Sequence, residues 1–299
     1  MSQHDGHHHA SSGRILRVAL AANGVLLVAQ VVGAVAFSSL ALLADAGHQG
    51  SDVAALLIAV VAQAIAGRTP SDNYTFGLRR AEVMGALLNA VMLLAVAVWV
   101  VVEASRRIGD PPDVSGWGVL VLGAVGLLVN GGCAWLLHRT ADRSLNVRGA
   151  ALHLTGDAAA SVGVLIAGLA IVLWNADWVD SAVSYLIAGL LLWTGTGLVR
   201  RTTRVLLEGT PPGMDVSELS ALITADGRVN GVHHLHVWSV DSTTVALSAH
   251  VEVAADSLHD AQLVASDLER QLALRGVDHA TLALECHPCD TGHPVHEHD

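Results

Sequence analysis

There is no lysine in this chain: all 16 basic residues are arginine. Charge of any kind is scarce, at 14% of 299 residues, and aromatic side chains reach only 4%. Three cysteines, Cys133, Cys286 and Cys289, are too few for a disulfide framework. A chain this poor in charge, with 52% hydrophobic residues and a mean hydropathy of +0.50, is not composed like a soluble globule. It is composed like a membrane protein with a soluble part attached. No cleavable signal peptide is expected, because the start is polar and His-rich and the first apolar run is itself long enough to be a span.

Six apolar runs occupy residues 15–37, 40–66, 81–102, 116–137, 147–173 and 179–199. Each meets the length a helix needs to cross a bilayer, about 20 residues at ~1.5 Å each. Only Ser38 and Ser39 separate the first two, which predicts a tight antiparallel hairpin. The arginines set the orientation. Arg14 and Arg17 stand at the start of the first run, Arg68, Arg79 and Arg80 follow the second, Arg139, Arg143 and Arg148 follow the fourth, and Arg200, Arg201 and Arg204 follow the sixth. The opposite side has only Arg106 and Arg107, beside Asp110 and Asp113. Arginine-rich loops stay in the cytoplasm, so both termini are expected there, in a multi-pass protein of the inner or plasma membrane.

The second run contains His48 and Asp52, and the fifth contains His153 and Asp157. Residues four apart share one face of a helix, with Cβ atoms about 5–6 Å apart. Ionisable groups at membrane depth are costly and mark function. One such pair is as consistent with a hydrogen bond between helices as with a metal. Two identical pairs in two spans match what zinc takes, imidazole nitrogen and carboxylate oxygen in a tetrahedron. Catalysis is not indicated. No His-Glu-x-x-His occurs, neither pair has an adjacent Glu to act as base, and four protein ligands leave no open position for a reactive water. Asp45, three residues before His48, is expected to cap a loop near the outer surface, with proton relay as the alternative. Asn23 and Asn130 read either as partners that orient the ligands or as hydrogen-bonded glue between helices.

Beyond Arg204 the pattern changes. Residues 208–299 hold 15 Asp and Glu against 3 Arg, a net of −12, whereas the rest has 12 acids and 13 Arg. An acidic soluble part disfavours nucleic acid and favours cations. A helix over 215–225 opens on Asp215, with Glu218 three residues later. Strands are expected over 231–240 and 244–253, joined by a tight turn at Asp241 and Ser242. An amphipathic helix over 257–275 places Leu258, Ala261, Ala265, Leu268 and Leu272 on one face, and a strand over 280–286 follows. This order suggests a small α+β domain of ferredoxin-like type. The domain plan is then a His-rich disordered tail (1–13, with His4, His7, His8 and His9), a six-helix transmembrane domain (14–204), a cytoplasmic α+β domain (205–290) and a tail (291–299) with His293, His296 and His298.

At this point the residues resemble a family, the cation diffusion facilitators, which include bacterial zinc exporters. The matching stretches are Leu43-Ala44-Asp45-Ala46-Gly47-His48-x-x-x-Asp52, Tyr74-Thr75-Phe76-Gly77-Leu78-Arg79-Arg80-Ala81-Glu82-Val83, His153-x-x-x-Asp157, Leu206-Leu207-Glu208-Gly209 and His233-His234-Leu235-His236-Val237-Trp238. They are spread over nearly the whole chain. The resemblance implies a homodimer that exports divalent metal, zinc with possible cadmium and cobalt, in exchange for protons. Zinc is cargo rather than cofactor, and the protein is not an enzyme. His48, Asp52, His153 and Asp157 would be the transport site, and His at the first of these positions looks like the zinc-selective version. The family's proposed motion rocks spans one, two, four and five against three and six. Arg80 and Glu208 stand where the family has a charge pair at the membrane–cytoplasm junction. Tyr74 and Leu78 occupy positions where some members have metal-binding His, so no metal is expected in that loop. His233 and His250 fall on the family's cytoplasmic metal positions, with Glu285, Cys286, His287 and Cys289 as further candidates. His234, His236, His259, His279 and His138 read as ordinary polar residues.

Overall fold

A computed structural model describes residues 5–66, 70–109, 112–140 and 145–286. They fall into two compact units, Met1–Ile58 with Leu88–Val199 and Ala59–Leu87 with Arg200–Asp299. The ends of the second and third helices thus belong with the soluble part. His4, His287, Cys289, His293, His296 and His298 lie outside the described residues.

Six long helices come first: α1 (Asp5–Ala36), α2 (Leu40–Ala66), α3 (Arg80–Arg107), α4 (Gly116–Thr140), α5 (Leu145–Trp174) and α6 (Trp178–Leu206). In α3 to α6 the stretches Arg80–Arg107, Gly116–His138, Leu152–Trp174 and Trp178–Leu206 are each long and apolar enough to span a membrane. α1 contributes a shorter apolar segment, Ala21–Ala36, and the 27 residues of α2 rise about 40 Å. All six expected runs are helical, but several helices outlast their apolar part. α1 begins at Asp5, so most of the stretch expected to be disordered is helical; once a helix is nucleated, each added residue gains a backbone bond. α3 likewise continues to Arg107, where Glu103 pairs with Arg107 at 3.2 Å and Arg106 at 3.8 Å along the helix face.

The start of α2 is fixed from outside. A helix leaves its first N–H groups without internal partners. Asp180, 1% exposed on the first turn of α6, accepts from the backbone N–H of Leu40 at 2.7 Å and of Ala41 at 3.4 Å. It also accepts from the Ser39 hydroxyl at 2.5 Å. Arg107 stands 4.0 Å from Asp180 and donates to the Ser38 carbonyl at 2.7 Å. Ser38, at φ 55°, makes the left-handed step that turns α1 into α2. Elsewhere glycine brings helices together. A Cβ on Gly123 of α4 would lie 2.8 Å from the Leu165 backbone nitrogen, and one on Gly168 of α5 would strike the Leu120 backbone.

The soluble part runs α7 (Val216–Thr224), β1 (Val229–Ser239), β2 (Val245–Val253), α8 (Leu258–Ala273) and β3 (His279–Glu285). The sheet order is β1-β2-β3, with β1 and β2 antiparallel and β2 and β3 parallel. The helix-strand-strand-helix-strand order is the one expected. Asp215 caps α7 by accepting from the Ser217 N–H at 2.8 Å, and its hydrogen bonds hold its carboxyl below the usual range. Alternation along β2 buries Leu247, Ala249, Val251 and Val253 against Leu219 and Ile223 of α7 and Ala261, Val264, Leu268 and Leu272 of α8. Val264 replaces Ala265 on the expected face, and Leu258 is exposed, because the buried stripe begins at Ala261.

The β1–β2 connection is longer than a two-residue turn and is built around Asp241. Its carboxylate accepts from the N–H groups of Thr243 at 2.8 Å and Thr244 at 2.7 Å. Burial alone would raise its pKa; these donors outweigh burial and hold it below the ordinary value. The loop also meets the start of α3. Arg79 donates to Thr244 at 2.9 Å and lies 3.6 Å from Asp241, and Ser242 donates to Glu82 at 3.0 Å. Arg80 and Glu208 pair at 3.0 Å.

Asp180→Ala would orphan the buried N–H groups at the start of α2. A loss of about 1–3 kcal/mol is expected, read as denaturant unfolding of the detergent-solubilised protein. Unchanged stability would show that another group caps α2.

Candidate metal centre

The two His–Asp pairs meet. α2 presents His48 and Asp52, and α5 presents His153 and Asp157. His48 Nε2 lies 3.5 Å from Asp157 Oδ1, and its Nδ1 lies 3.8 Å from Asp52 Oδ2. His153 Nε2 lies 3.2 Å from Asp52 Oδ2 and 3.7 Å from Asp157 Oδ2. Ligand atoms of His48, Asp52 and Asp157 all fall within 4.8 Å of one another, and His153 closes the set from its exposed side. Asp157 is buried, and His48 and Asp52 are half-buried. His48 Nδ1, Asp52 Oδ2 and Asp157 Oδ1 are buried atoms with no hydrogen-bond partner among the described residues. Two acceptor-rich carboxylates facing two imidazoles suit a borderline dication that needs nitrogen and oxygen together.

Around this set some expectations change. Asp45 does not cap a loop. It lies more than one turn inside α2, 1% exposed, and accepts from Gln30 of α1 at 2.5 Å. Asn130 of α4 donates to Ser161 of α5 at 3.5 Å and so joins two helices, while Asn23 is half-buried on α1. Glycine next to the ligands is close-packed at one position only. A Cβ on Gly47 would lie 2.7 Å from Val96 of α3, whereas Gly50 has Leu27 at 3.9 Å and Gly156 has nothing within 4 Å.

A second set lies on the sheet face away from α7 and α8. His233 and His250 are directly paired across β1 and β2, and Glu252 pairs with Glu285 across β2 and β3. Glu285 lies 2.5 Å from His250 Nδ1 and 3.3 Å from His233 Nε2, and Glu252 lies 3.6 Å from His233 Nδ1. Ligand atoms of His233, His250 and Glu285 fall within 4.8 Å. Glu252 was legible, since it lies two residues from His250 on the same strand face. His234 was not. It should alternate to the opposite face, but a register shift after His233 and a φ of 49° bring its ring to 5.3 Å from His233 and 5.2 Å from His250.

Comparison with known proteins adds an independent line. Residues 16–207 match the family described as the cation efflux transmembrane domain, and residues 211–282 match the cytoplasmic domain of cation efflux proteins. The chain is 36% identical to the "Zinc transporter ZitB" of Escherichia coli, covering 98% of this chain and 99% of that one. It is 37% identical to the "Metal cation efflux system protein CzcD" of Cupriavidus metallidurans, covering 95% and 91%. It is 32% identical to the "Cadmium, cobalt and zinc/H(+)-K(+) antiporter" of Bacillus velezensis, covering 98% and 94%.

Asp157→Ala is expected to weaken zinc binding to the solubilised protein by more than about 100-fold, beyond what loss of an outer partner costs. Calorimetry at neutral pH measures it, and wild-type affinity would remove Asp157 from the set.

Proposed function

The chain belongs to the cation efflux family, and from that premise we propose that it exports zinc from the cytoplasm in exchange for external protons, as a homodimer. Cadmium and cobalt, named for its relatives, are the next cations to expect. The observation that carries the proposal is that ligand atoms of His48, Asp52 and Asp157 lie within 4.8 Å of one another, with His153 Nε2 3.2 Å from Asp52, on two apolar helices.

Zinc binds neutral imidazole and ionised carboxylate, so binding expels protons and protonation expels zinc. With the site open to the cytoplasm, zinc displaces protons from the two pairs. With the site open outward, external protons compete for the same nitrogens and oxygens, and zinc leaves. Four ligands hold zinc firmly, so release also needs the pairs to separate. Each pair is rigid within its own helix, so besides the rocking of spans one, two, four and five against three and six, a small tilt of α2 against α5 within that group pulls the pairs apart. The arginine distribution supports cytoplasmic termini, and membership of a transporter family supports transport rather than catalysis.

Purified protein in proteoliposomes is expected to move zinc, faster when the receiving side is acidic. Zinc flux that ignores the pH gradient would remove the antiport. His48→Asp exchanges a nitrogen for a harder oxygen and is expected to raise the cadmium-to-zinc rate ratio. An unchanged ratio would count against His48 as a ligand.

We further infer that His233, His250 and Glu285, with His287 a candidate beyond the described residues, form a cytoplasmic regulatory zinc site. The soluble part carries a net of −12, and two copies in a dimer repel. Zinc neutralises part of that charge at the sheet face and draws the domains together. Spin labels on the two soluble domains are expected to approach when zinc is added. The same approach in a His233→Ala/His250→Ala variant would end the regulatory role and leave the membrane site untouched.

A further inference from the structure

Asp45 is a buried carboxylate that the metal set does not use. It lies on α2 three residues before His48, flanked by the buried Ala44 and Ala46. Gln30 of α1, equally buried, donates its Nε2–H to Asp45 Oδ2 at 2.5 Å. The other atom of each group, Asp45 Oδ1 and Gln30 Oε1, is buried with no hydrogen-bond partner among the described residues. Both atoms are acceptors, so neither satisfies the other. One proton on Oδ1 supplies the missing donor. Were the Gln30 amide, which already donates to Oδ2, to accept from that proton at Oε1, the two groups would close the two-bond ring of a carboxylic acid and an amide. Without it, an ionised carboxylate sits in a low-dielectric interior with one neutral partner, and two buried acceptors stay unpaired.

The neighbourhood is polar but has few charges. On α2 the polar residues one turn on are His48 and the neutral Gln49, which is buried with both amide atoms unpartnered among the described residues. On α5 the acidic side chain is Asp157, one of the four candidate ligands. Ser161, one turn from Asp157, is linked to Asn130 of α4. Gly126 of α4 keeps this layer open: a Cβ there would lie 2.9 Å from Ser161 Oγ and 3.6 Å from Gln30 Nε2.

We propose that Asp45, held by Gln30, is a proton-binding site of the transport cycle, separate from the four metal ligands. This rests on the export reading above. Asp45 takes a proton from the outer side by forming an O–H bond at Oδ1. It returns that proton to water on the cytoplasmic side when a dication enters beside Asp157. The carboxylate lone pair makes and releases the bond, so no oxidant or reductant is needed. A dication at the metal set and a proton one turn away are two positive loads in one low-dielectric interior, so each weakens the other. That opposition is reciprocal, which is what an exchanger requires.

The test uses the full chain. Infrared difference spectra between zinc-free and zinc-loaded protein at fixed pH are expected to show a carboxylic-acid C=O band that vanishes with zinc and is missing from Asp45→Asn. In proteoliposomes, the ratio of zinc flux with and without a pH gradient is expected to fall by about tenfold in Asp45→Asn, a typical size for coupling between sites. An unchanged band and an unchanged ratio would overturn the proposal. Should Asp45→Asn fail to assemble, Gln30→Leu decides. It keeps the carboxyl but removes its ring partner, so the band must shift and the flux–pH profile must move; if both match wild type, the proposal falls. A wild-type protein that moves no zinc would instead sink the export reading, while the band in wild-type protein would still report on Asp45.

Discussion

Burying a carboxylate in an apolar bundle is expensive, and the membrane part of this protein is arranged around three answers to that cost. Asp180 is fully employed. Two backbone N–H groups, a hydroxyl and a nearby guanidinium use its oxygens, and the result is a pinned α2. Asp157 faces two imidazoles, with one oxygen left over. Asp45 faces one amide, also with one oxygen left over. A satisfied carboxylate has nothing to offer a passing cation, whereas an unsatisfied one does. By that criterion Asp180 is architecture, and the unpaired oxygens of Asp157 and Asp45 are what the proposed cation and proton sites rest on. Because Asp180 fixes the first turn of α2, it also sets the depth at which Asp45, His48 and Asp52 sit along that helix.

The soluble part solves a different problem. The β1–β2 hairpin has His233 and His250 paired near one end and the Asp241 loop at the other. That loop is held by Arg79 and Glu82 at the head of α3, next to the Arg80–Glu208 pair. Each of these exposed pairs contributes only about 0–1 kcal/mol, so they add little to the stability of the fold.

How far the sequence alone carries is decided by periodicity. The six helices, the order of the soluble elements and the meeting of His48 with Asp52 follow from spacings of 3.6 and 2 that local backbone geometry enforces. That the pair on α2 faces the pair on α5 needs the family resemblance or the fold, since no local rule relates residues a hundred apart. Asp45 was misplaced because a carboxylate early in an apolar run normally snorkels to water; the glutamine that holds it comes from another helix. The ring of His234 lies beside His233 and His250 for the opposite reason: alternation is a sound rule for strands, and a bulge breaks it at one residue. The ends of α1 and α3 were drawn too short because hydropathy marks where a helix leaves the membrane, not where its hydrogen bonds stop.

The two candidate metal sets use the same side-chain chemistry on different scaffolds, and the scaffolds separate their roles. His48–Asp52 and His153–Asp157 are each fixed within a helix, but no backbone hydrogen bond among the described residues ties one pair to the other. Their spacing depends on how α2 and α5 lean, and that can change without breaking either helix. His233, His250 and Glu285 stand on adjacent strands locked in register by ladder hydrogen bonds, so their spacing changes only if the sheet comes apart. A cation held between two movable helices can be picked up and released within one cycle. A cation held across a hydrogen-bonded sheet leaves only when its free concentration falls, which is the behaviour a sensor needs and a carrier must avoid.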